Sequence, residues 1–433
     1  MIYLIVFLAV FLFIAFLRVP IAFAMCCGVM IAMAMANIDY AIIPPAIFGG
    51  IDSFAFLAVP AFIFAGDLMA SGGISNALLK FIGAIIGRIR GSLGAVAIVA
   101  SALFGTITGS SLATISAIGG IMMPEMIKAG YSKEYTTTLM AASGFLGILI
   151  PPSVPGVIYA ITAGLPVLDV WLCTVGPGIL LTIMYIIVNY IHVGRRQQLQ
   201  VKKFSIVTYF HDITNALPPA LLALLVPIII FGGVYGGVFT ATEAGAVAVA
   251  VAILIGWILY PKIFKILPDQ RLWKTARSST VSSASIMMVI GVAHAVSQMI
   301  AYTGIPIKLT EFMTGLTQSQ GVFLIIVNIL LLIVGMFLET NTSILLFTPI
   351  LGPLASAYGV NPLHFAAIML LNLEIGMITP PFAINLFTAC RMTNVTMNKI
   401  VKDLLPFLAV CFIVLLITTY FPPFSLTIIK LIH

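Results

Sequence analysis

Long apolar stretches separated by short polar loops recur along almost the whole 433-residue sequence. An apolar stretch of about 20 residues is long enough to cross a bilayer as a helix. The pattern predicts crossings near residues 2–17, 21–36, 54–70, 132–165 and 170–191 in the first half, and near 217–231, 242–260, 282–301, 362–390 and 404–420 in the second.

Lys and Arg are concentrated in a few loops between these stretches. The strongest are "HVGRRQQLQVKKF" (residues 192–204) and "PKIFKILPDQRLWKTAR" (residues 261–277). Because basic loops stay in the cytoplasm, both should face inward. The loop "GGVYGGVFTATE" between them lacks Lys and Arg and should lie outside, and both chain termini are then external.

Two further stretches are amphipathic. "LLKFIGAIIGRIR" (residues 78–90) and "IPIKLTEFMTGLTQ" (residues 305–318) each repeat apolar residues at helical spacing, with polar residues on the other face. Such helices lie in the membrane interface instead of crossing it. The pattern therefore predicts two interfacial arms, one in each half.

The stretch "GFLGILIPPSVPGVIYA" contains Pro151 and Pro152 in a segment that otherwise reads as one helix. A proline inside a helix removes a backbone donor and breaks or kinks the helix. "LEIGMITPPFAINLFTA" carries Pro380 and Pro381 in the same context, at an offset of 229 (380 − 151 = 229). The matched breaks predict two discontinuous helices, although a simple kink in a packed helix is the alternative for either one.

An apolar stretch interrupted by small polar residues precedes each break. The two read "FGTITGSSLATISAIGG" and "VGMFLETNTSILLFTPI". Their flanking runs are too short for two clean crossings with a solvated loop, so each predicts a re-entrant hairpin. Backbone that is not helical at this depth must be buried in protein or line a cavity.

The fold class expected from these features is an all-α polytopic membrane protein made of two inverted-topology repeats. Each repeat would contain scaffold helices, an interfacial arm, a hairpin, a broken helix and a last helix. The expected bounds are 1–70, 74–91, 92–126, 132–165 and 170–191 within a first repeat of 1–200, and 217–260 with 282–301, 304–319, 321–356, 362–390 and 404–420 within a second repeat of 201–433.

Matched broken helices in paired halves are typical of secondary transporters. Unwound backbone exposes carbonyl oxygens to a cation such as sodium, and helix N-termini attract an anion. With 61% hydrophobic and 8% charged residues, the composition excludes a soluble domain. The sequence contains no H-E-x-x-H zinc motif and no phosphate-binding P-loop motif, so neither a metalloprotease nor an ATPase is expected.

At these residues the chain resembles the large membrane (M) subunit of tripartite ATP-independent periplasmic (TRAP) transporters. The resemblance rests on "GTITGSSLAT", "AGYSKEYTTTLMAASGFLGILIPPSVPGVIYA", "GGVYGGVFTATEAGAVA" and "IGMITPPFAINLF". It implies sodium-driven uptake of an organic acid, such as sialic acid or a C4-dicarboxylate, across the bacterial inner membrane. It also implies an elevator-type scaffold with a transport domain, a separate small membrane subunit and a periplasmic substrate-binding protein, with Na⁺ as the coupling ion and no other cofactor.

Candidate site residues follow from the hairpins and breaks. A first sodium site is expected from Gly105, Thr108, Ser110, Gly144, Gly147 and Ile150, and a second from Gly335, Glu339, Asn341, Gly376 and Thr379. The substrate carboxylate is expected near Ser111, Thr114, Ser153, Asn385 and Arg391. Close helix packing is the alternative role for the small residues, and a plain cytoplasmic charge is the alternative for Arg391.

Acids within apolar segments are candidates for function by default. Glu339 and Glu374 lie near the second predicted sodium site, whereas Glu243 and Asp67 are expected to form local hydrogen bonds in the scaffold. Two alternatives from other functional classes are a membrane-embedded enzyme and a channel. A self-sufficient sodium–carboxylate symporter, which needs no binding protein, is the nearest alternative.

Overall fold

The computed structural model describes residues 2–86, 91–196 and 206–432, and in these ranges every regular element is a helix. The helices of the first half are α1 (Ile2–Phe16), α2 (Ile21–Met35), α3 (Ile43–Ile51), α4 (Ala58–Ser71), α5 (Ile74–Ile86), α6 (Ser92–Thr108), α7 (Ser111–Lys128), α8 (Lys133–Ser143), α9 (Leu146–Leu149), α10 (Val154–Ala163) and α11 (Val167–Arg196). Short 3₁₀ turns precede α3 and α4.

The second half of the chain begins with helix α12. Its helices are α12 (Ile206–Tyr235), α13 (Ala241–Ile253), α14 (Leu272–Tyr302), α15 (Ile305–Leu316), α16 (Gln320–Phe337), α17 (Thr340–Ala357), α18 (Pro362–Gly376), α19 (Ile384–Thr393), α20 (Met397–Tyr420) and α21 (Pro423–Ile432). A π-helix over Leu254–Phe264 continues α13.

The chain is a multi-pass membrane protein. Among the described residues, 7 helices are long and apolar enough to cross a membrane, and a bent pair made of Lys133–Leu149 and Val154–Ala163 would be an eighth span. These spans include the predicted crossings near 54–70, 170–191, 217–231, 242–260, 282–301 and 404–420. Helix α16 is also long and apolar enough to cross a membrane, whereas its sequence predicts the first arm of a re-entrant hairpin.

Some predicted elements are shorter than expected, and others lie partly outside the described residues. Helices α1 and α2 have 15 residues each, which corresponds to about 22 Å of helix. The first predicted arm is described as α5, and its end at residues 87–90 lies outside the described residues. The same holds for residues 197–205, which contain most of the first basic loop and the expected boundary between the repeats.

Two helices were not anticipated from the hydrophobic pattern. Helix α3 packs against α14, and α21 packs against α11. Both are only 9 or 10 residues long, so neither has the length that identifies a crossing. Proline at the first turn favours helix initiation in α3.

Two groups of helix contacts join the halves of the chain. In the first, α13 lies against α4, α12 against α5, and α14 against α2, α3 and α4. In the second, α10 packs on α17 and α19 on α7, while α11 packs on α18 and α20 on α8.

Both Pro-Pro sequences interrupt a helix. The first interruption separates α9 from α10 with a bend of 47°. The Ser153 side chain accepts a hydrogen bond from the Gly156 backbone N–H and so begins α10 as its N-cap. The second interruption lies between the end of α18 at Gly376 and the start of α19 at Ile384.

Candidate functional site

The first tip is the turn between α6 and α7. Helix α6 ends at Gly109, whose φ of 58° lies in the left-handed region that glycine adopts readily. Ser110 then caps α7 by accepting from the Ala113 N–H at 3.3 Å. The Thr114 hydroxyl donates to the Ser110 carbonyl at 2.9 Å and lies 3.2 Å from the Thr108 hydroxyl. The tip therefore gathers several oxygen atoms in one buried turn.

The second tip is the turn between α16 and α17, and it contains carboxylates. Glu339 is the N-cap residue of α17. Its Oε1 accepts from Asn341 Nδ2 at 2.7 Å. The Thr340 hydroxyl donates to Glu374 Oε1 on α18, also at 2.7 Å. Glu374 is completely buried, and its second oxygen has no partner among the described residues.

A cleft lies between the two tips. Its volume is about 240 Å³, including the space at its open mouth. Its described lining is Gly109, Ser110, Ser111, Leu112, Ile148, Pro155, Glu339, Thr340, Glu374 and Met377. Residues from both tips and from both broken helices therefore meet around one small cavity.

Three pairs of lining residues are related by the offset of the Pro-Pro breaks. Ser110 pairs with Glu339 (339 − 110 = 229) and Ser111 with Thr340 (340 − 111 = 229). Ile148 of the first broken helix pairs in the same way with Met377 of the second (377 − 148 = 229). Positions that are 229 residues apart in the two halves thus line the same cleft.

Each tip is held against its broken helix by a pair of glycines. A Cβ atom on Gly105 would lie 2.7 Å from the Gly147 Cα. A Cβ atom on Gly376 would lie 2.6 Å from the Gly335 Cα. Because real side chains do not approach backbone this closely, both contacts require glycine.

One hydrogen bond joins the first tip to the second break. The Ser111 hydroxyl donates to Asn385 Oδ1 at 3.1 Å. The Asn385 N–H in turn donates to the Met377 carbonyl at 3.1 Å, which closes the break between α18 and α19. The Asn385 side chain is fully buried, and its Nδ2 has no partner among the described residues.

The structure brings some predicted site residues to the cleft and leaves others away from it. Ser110, Ser111 and Glu339 line the cleft, and Thr114, Asn341 and Asn385 contact these residues. Gly144 packs against Ile115, and Ile150 ends α9 directly before Pro151 and Pro152. The Thr379 hydroxyl donates to the Ile375 carbonyl at 2.7 Å, just before Pro380 and Pro381.

Ser153 and Arg391 are among the predicted substrate residues that do not belong to the described lining of the cleft. Ser153 caps α10, and its carbonyl accepts from Trp171 Nε1 at 3.1 Å. Arg391 is exposed near the end of α19, with its guanidinium 5.2 Å from the Phe387 ring centroid. The structure thus gives Ser153 a role in starting a helix and places Arg391 on the surface.

The electrostatic character of the cleft is mixed. Residues from the first turns of α7, α10 and α17 line it, and helix N-termini carry partial positive charge. The carboxyl groups of Glu339 and Glu374 lie in the same lining. None of the described lining residues is Lys, Arg or His. The site can therefore offer backbone N–H groups to an anion. It can also offer carboxyl oxygens to a cation or to a hydrogen-bond donor.

Thr340 and Met377 were not selected from the sequence as site residues. The offset of 229 residues could have identified both of them. Thr340 lies 229 residues after Ser111 at the first tip, and Met377 lies 229 residues after Ile148 beside the first break. The sequence predicts Glu374 only as an acid near the second sodium site. No local pattern indicates that its side chain reaches Thr340 and the cleft.

Comparison with known proteins gives consistent similarities. The family model described as "Tripartite ATP-independent periplasmic transporter, DctM component" matches residues 6–424. The sialic acid TRAP transporter large permease protein SiaM of Vibrio cholerae is 34% identical, over 88% of this chain and 88% of that protein. The C4-dicarboxylate TRAP transporter large permease protein DctM of Pseudomonas aeruginosa is 33% identical, over 87% of this chain and 86% of that protein.

A third relative is longer than this chain. The isethionate TRAP transporter permease protein DctMQ of Oleidesulfovibrio alaskensis is 33% identical, over 93% of this chain and 63% of that protein. Among solved structures, the Alcanivorax borkumensis YdaH transporter is similar with a TM-score of 0.62 at 12% identity, covering 88% of each chain. This similarity concerns the fold alone.

Proposed function

The chain belongs to the DctM component family of tripartite ATP-independent periplasmic transporters, and we propose that it performs sodium-coupled uptake of an organic acid anion across the bacterial inner membrane. Its relatives are permease subunits, so its role is transport and it is not an enzyme. The family resemblance noted in the sequence is thereby confirmed. The proposed cargo belongs to the class that includes sialic acid and C4-dicarboxylates.

The observation that carries this proposal is the cleft between the two tips. Secondary transporters bind their substrate near the middle of the membrane, where broken helices of two repeats meet. The paired lining positions Ser110 with Glu339 and Ser111 with Thr340 fit such a site. The exchanged packing of α10 on α17 and α19 on α7 supports two inverted repeats with a re-entrant hairpin in each.

Two sodium sites are proposed, one beside each tip. The first would use oxygens near Thr108 and Ser110, and the second would use Glu339, Asn341 and Thr379. Hard cations prefer oxygen ligands such as carboxylates, amide carbonyls and hydroxyls. The Asn341 Oδ1 is buried and has no partner among the described residues, which supports its use as a ligand.

An elevator motion is proposed for the transport step. The tips and broken helices, which contact one another across the halves, would move together against a scaffold of α1–α4 and α12–α14. Helices α5 and α15 would be the interfacial arms that connect the two parts. Both termini are proposed to face the periplasm.

Two partner proteins are proposed on the basis of family membership. They are a small membrane subunit on a separate chain and a periplasmic binding protein that delivers the cargo. The alternative, a symporter that needs no binding protein, is less consistent with relatives that are TRAP permeases.

Reconstitution into proteoliposomes tests the proposal. With the small subunit and the binding protein present, an inward sodium gradient should drive uptake of the delivered acid. Uptake that is unchanged when potassium replaces sodium would contradict sodium coupling. Uptake that is unchanged without the binding protein would favour the alternative.

A further inference from the structure

Glu374 has one carboxylate oxygen that no described residue satisfies. The side chain is fully buried and lines the cleft. Its Oε1 accepts from Thr340, whereas its Oε2 has no hydrogen-bond partner among the described residues. Leaving a buried acceptor without a donor is costly, so such a group indicates a missing partner.

A hydrogen-bond donor on the cargo would satisfy this oxygen. We propose that this chain transports a small acid with one carboxylate and one donor group, a hydroxyl or an ammonium, and that Glu374 accepts from that donor. The inference rests on the proposed function, because it takes the cleft as the cargo site.

The charges around the cleft favour this class over a dicarboxylate. One carboxylate of the cargo would be attracted by the partial positive charge at the N-termini of α7, α10 and α17, whose first turns contribute Ser111, Pro155 and Thr340 to the lining. A second carboxylate would face Glu339 and Glu374, with no basic residue in the described lining to compensate. Repulsion between these like charges would weaken the binding of a dicarboxylate.

Glu339 is the less suitable acceptor of the two. Its Oε1 is held by Asn341 Nδ2 at 2.7 Å, within the same tip. Glu374 reaches the cleft from a different helix, α18, and keeps one oxygen open. Glu374 is therefore placed to distinguish cargo molecules, while Glu339 remains available to the proposed second sodium site.

A matched series of acids tests the inference on the full chain in nanodiscs. Succinate, 3-hydroxypropanoate and β-alanine share a two-methylene carboxylate and differ in ending with a carboxylate, a hydroxyl or an ammonium. Ligand affinity is obtained from the shift of the thermal unfolding midpoint with concentration, at saturating sodium. The wild-type chain should bind 3-hydroxypropanoate or β-alanine about tenfold more tightly than succinate, a difference of about 1.4 kcal/mol.

The E374Q variant provides the second measurement. Its amide can donate where the carboxylate only accepts, so the variant should bind succinate more tightly and β-alanine more weakly than the wild type. Glu125→Gln is the matched control, because Glu125 is an exposed acid on α7 that pairs with Lys128. This control should keep the wild-type order of affinities.

The outcomes separate the inference from the proposed function. Equal binding of succinate and the two donor acids by the wild type would overturn the inference and leave sodium-coupled uptake intact. A change only in sodium affinity in E374Q would make Glu374 a cation ligand and would also overturn it. If none of the three acids shifts the midpoint, the cleft is not the cargo site, and the proposed site fails together with the inference.

Discussion

Gly105 and Gly147 lie backbone against backbone, so that a Cβ on Gly147 would overlap the Gly105 Cα and the Thr106 nitrogen. This contact joins the first tip to the first broken helix. Gly335 and Gly376 make the equivalent contact in the second half. The two glycine pairs allow α6 and α16 to approach the broken helices closely.

Substitution of Gly147 by alanine should therefore destabilise the protein and reduce uptake. The added methyl group meets backbone that cannot rotate away, and overpacking of this kind costs about 1–3 kcal/mol. Thermal unfolding of the purified chain and initial uptake rates measure the two effects. Gly352→Ala is the control, because a Cβ there has nothing within 4 Å. Equal behaviour of the two variants would show that the glycine contact is unimportant.

The hydrogen bond between Ser111 and Asn385 should couple the two halves energetically. A double-mutant cycle of Ser111→Ala and Asn385→Ala should give an interaction energy of about 0.5–1.5 kcal/mol in unfolding free energy. Ser111→Ala should also reduce uptake, because Ser111 lines the cleft. Ser116→Ala is the control, since its exposed hydroxyl donates to the Leu112 carbonyl of its own helix. Additive effects of the two substitutions would argue against the coupling.

Thr379 and Thr388 allow a matched test of the second sodium site. Each hydroxyl donates to the carbonyl four residues earlier, at 2.7 Å for Thr379 and 2.9 Å for Thr388. Only Thr379 lies beside the break. Thr379→Ala should raise the sodium concentration for half-maximal uptake about tenfold, equivalent to about 1.4 kcal/mol, while Thr388→Ala should leave it unchanged. The same sodium dependence in both variants would remove Thr379 from the site.

A hydrogen bond between α4 and α14 should affect stability without affecting the cargo site. The Ser279 hydroxyl donates to Asp67 Oδ2 at 2.6 Å. Ser279→Ala should lower the unfolding free energy by about 1.5–3 kcal/mol, the range for hydrogen bonds to charged groups. Ser285→Ala, at an exposed position of the same helix, is the control.

The readout for Ser279→Ala has two parts. The unfolding midpoint should fall, while the sodium and cargo concentrations for half-maximal uptake should stay at wild-type values. A changed cargo affinity would mean that the Asp67 contact belongs to the transport machinery.

Much of the helix pattern could be predicted because it depends on local features. The crossing expected at residues 170–191 lies within α11, which is long and apolar enough to span a membrane. The interruptions at Pro151 and Pro380 follow from the missing proline N–H. The short helices α3 and α21 were missed, because their length carries no crossing signal.

The sequence by itself determined the apolar segments, the two helix breaks and the offset that relates them, since hydrophobic period and proline geometry act over a few residues. Only the tertiary structure decided that Ser111 reaches Asn385, that Thr340 reaches Glu374, and that Arg391 lies away from the cleft. These relationships depend on how helices distant in the chain pack against one another. Many alternative packings share the same local pattern, and side-chain fit among the helices selects one of them.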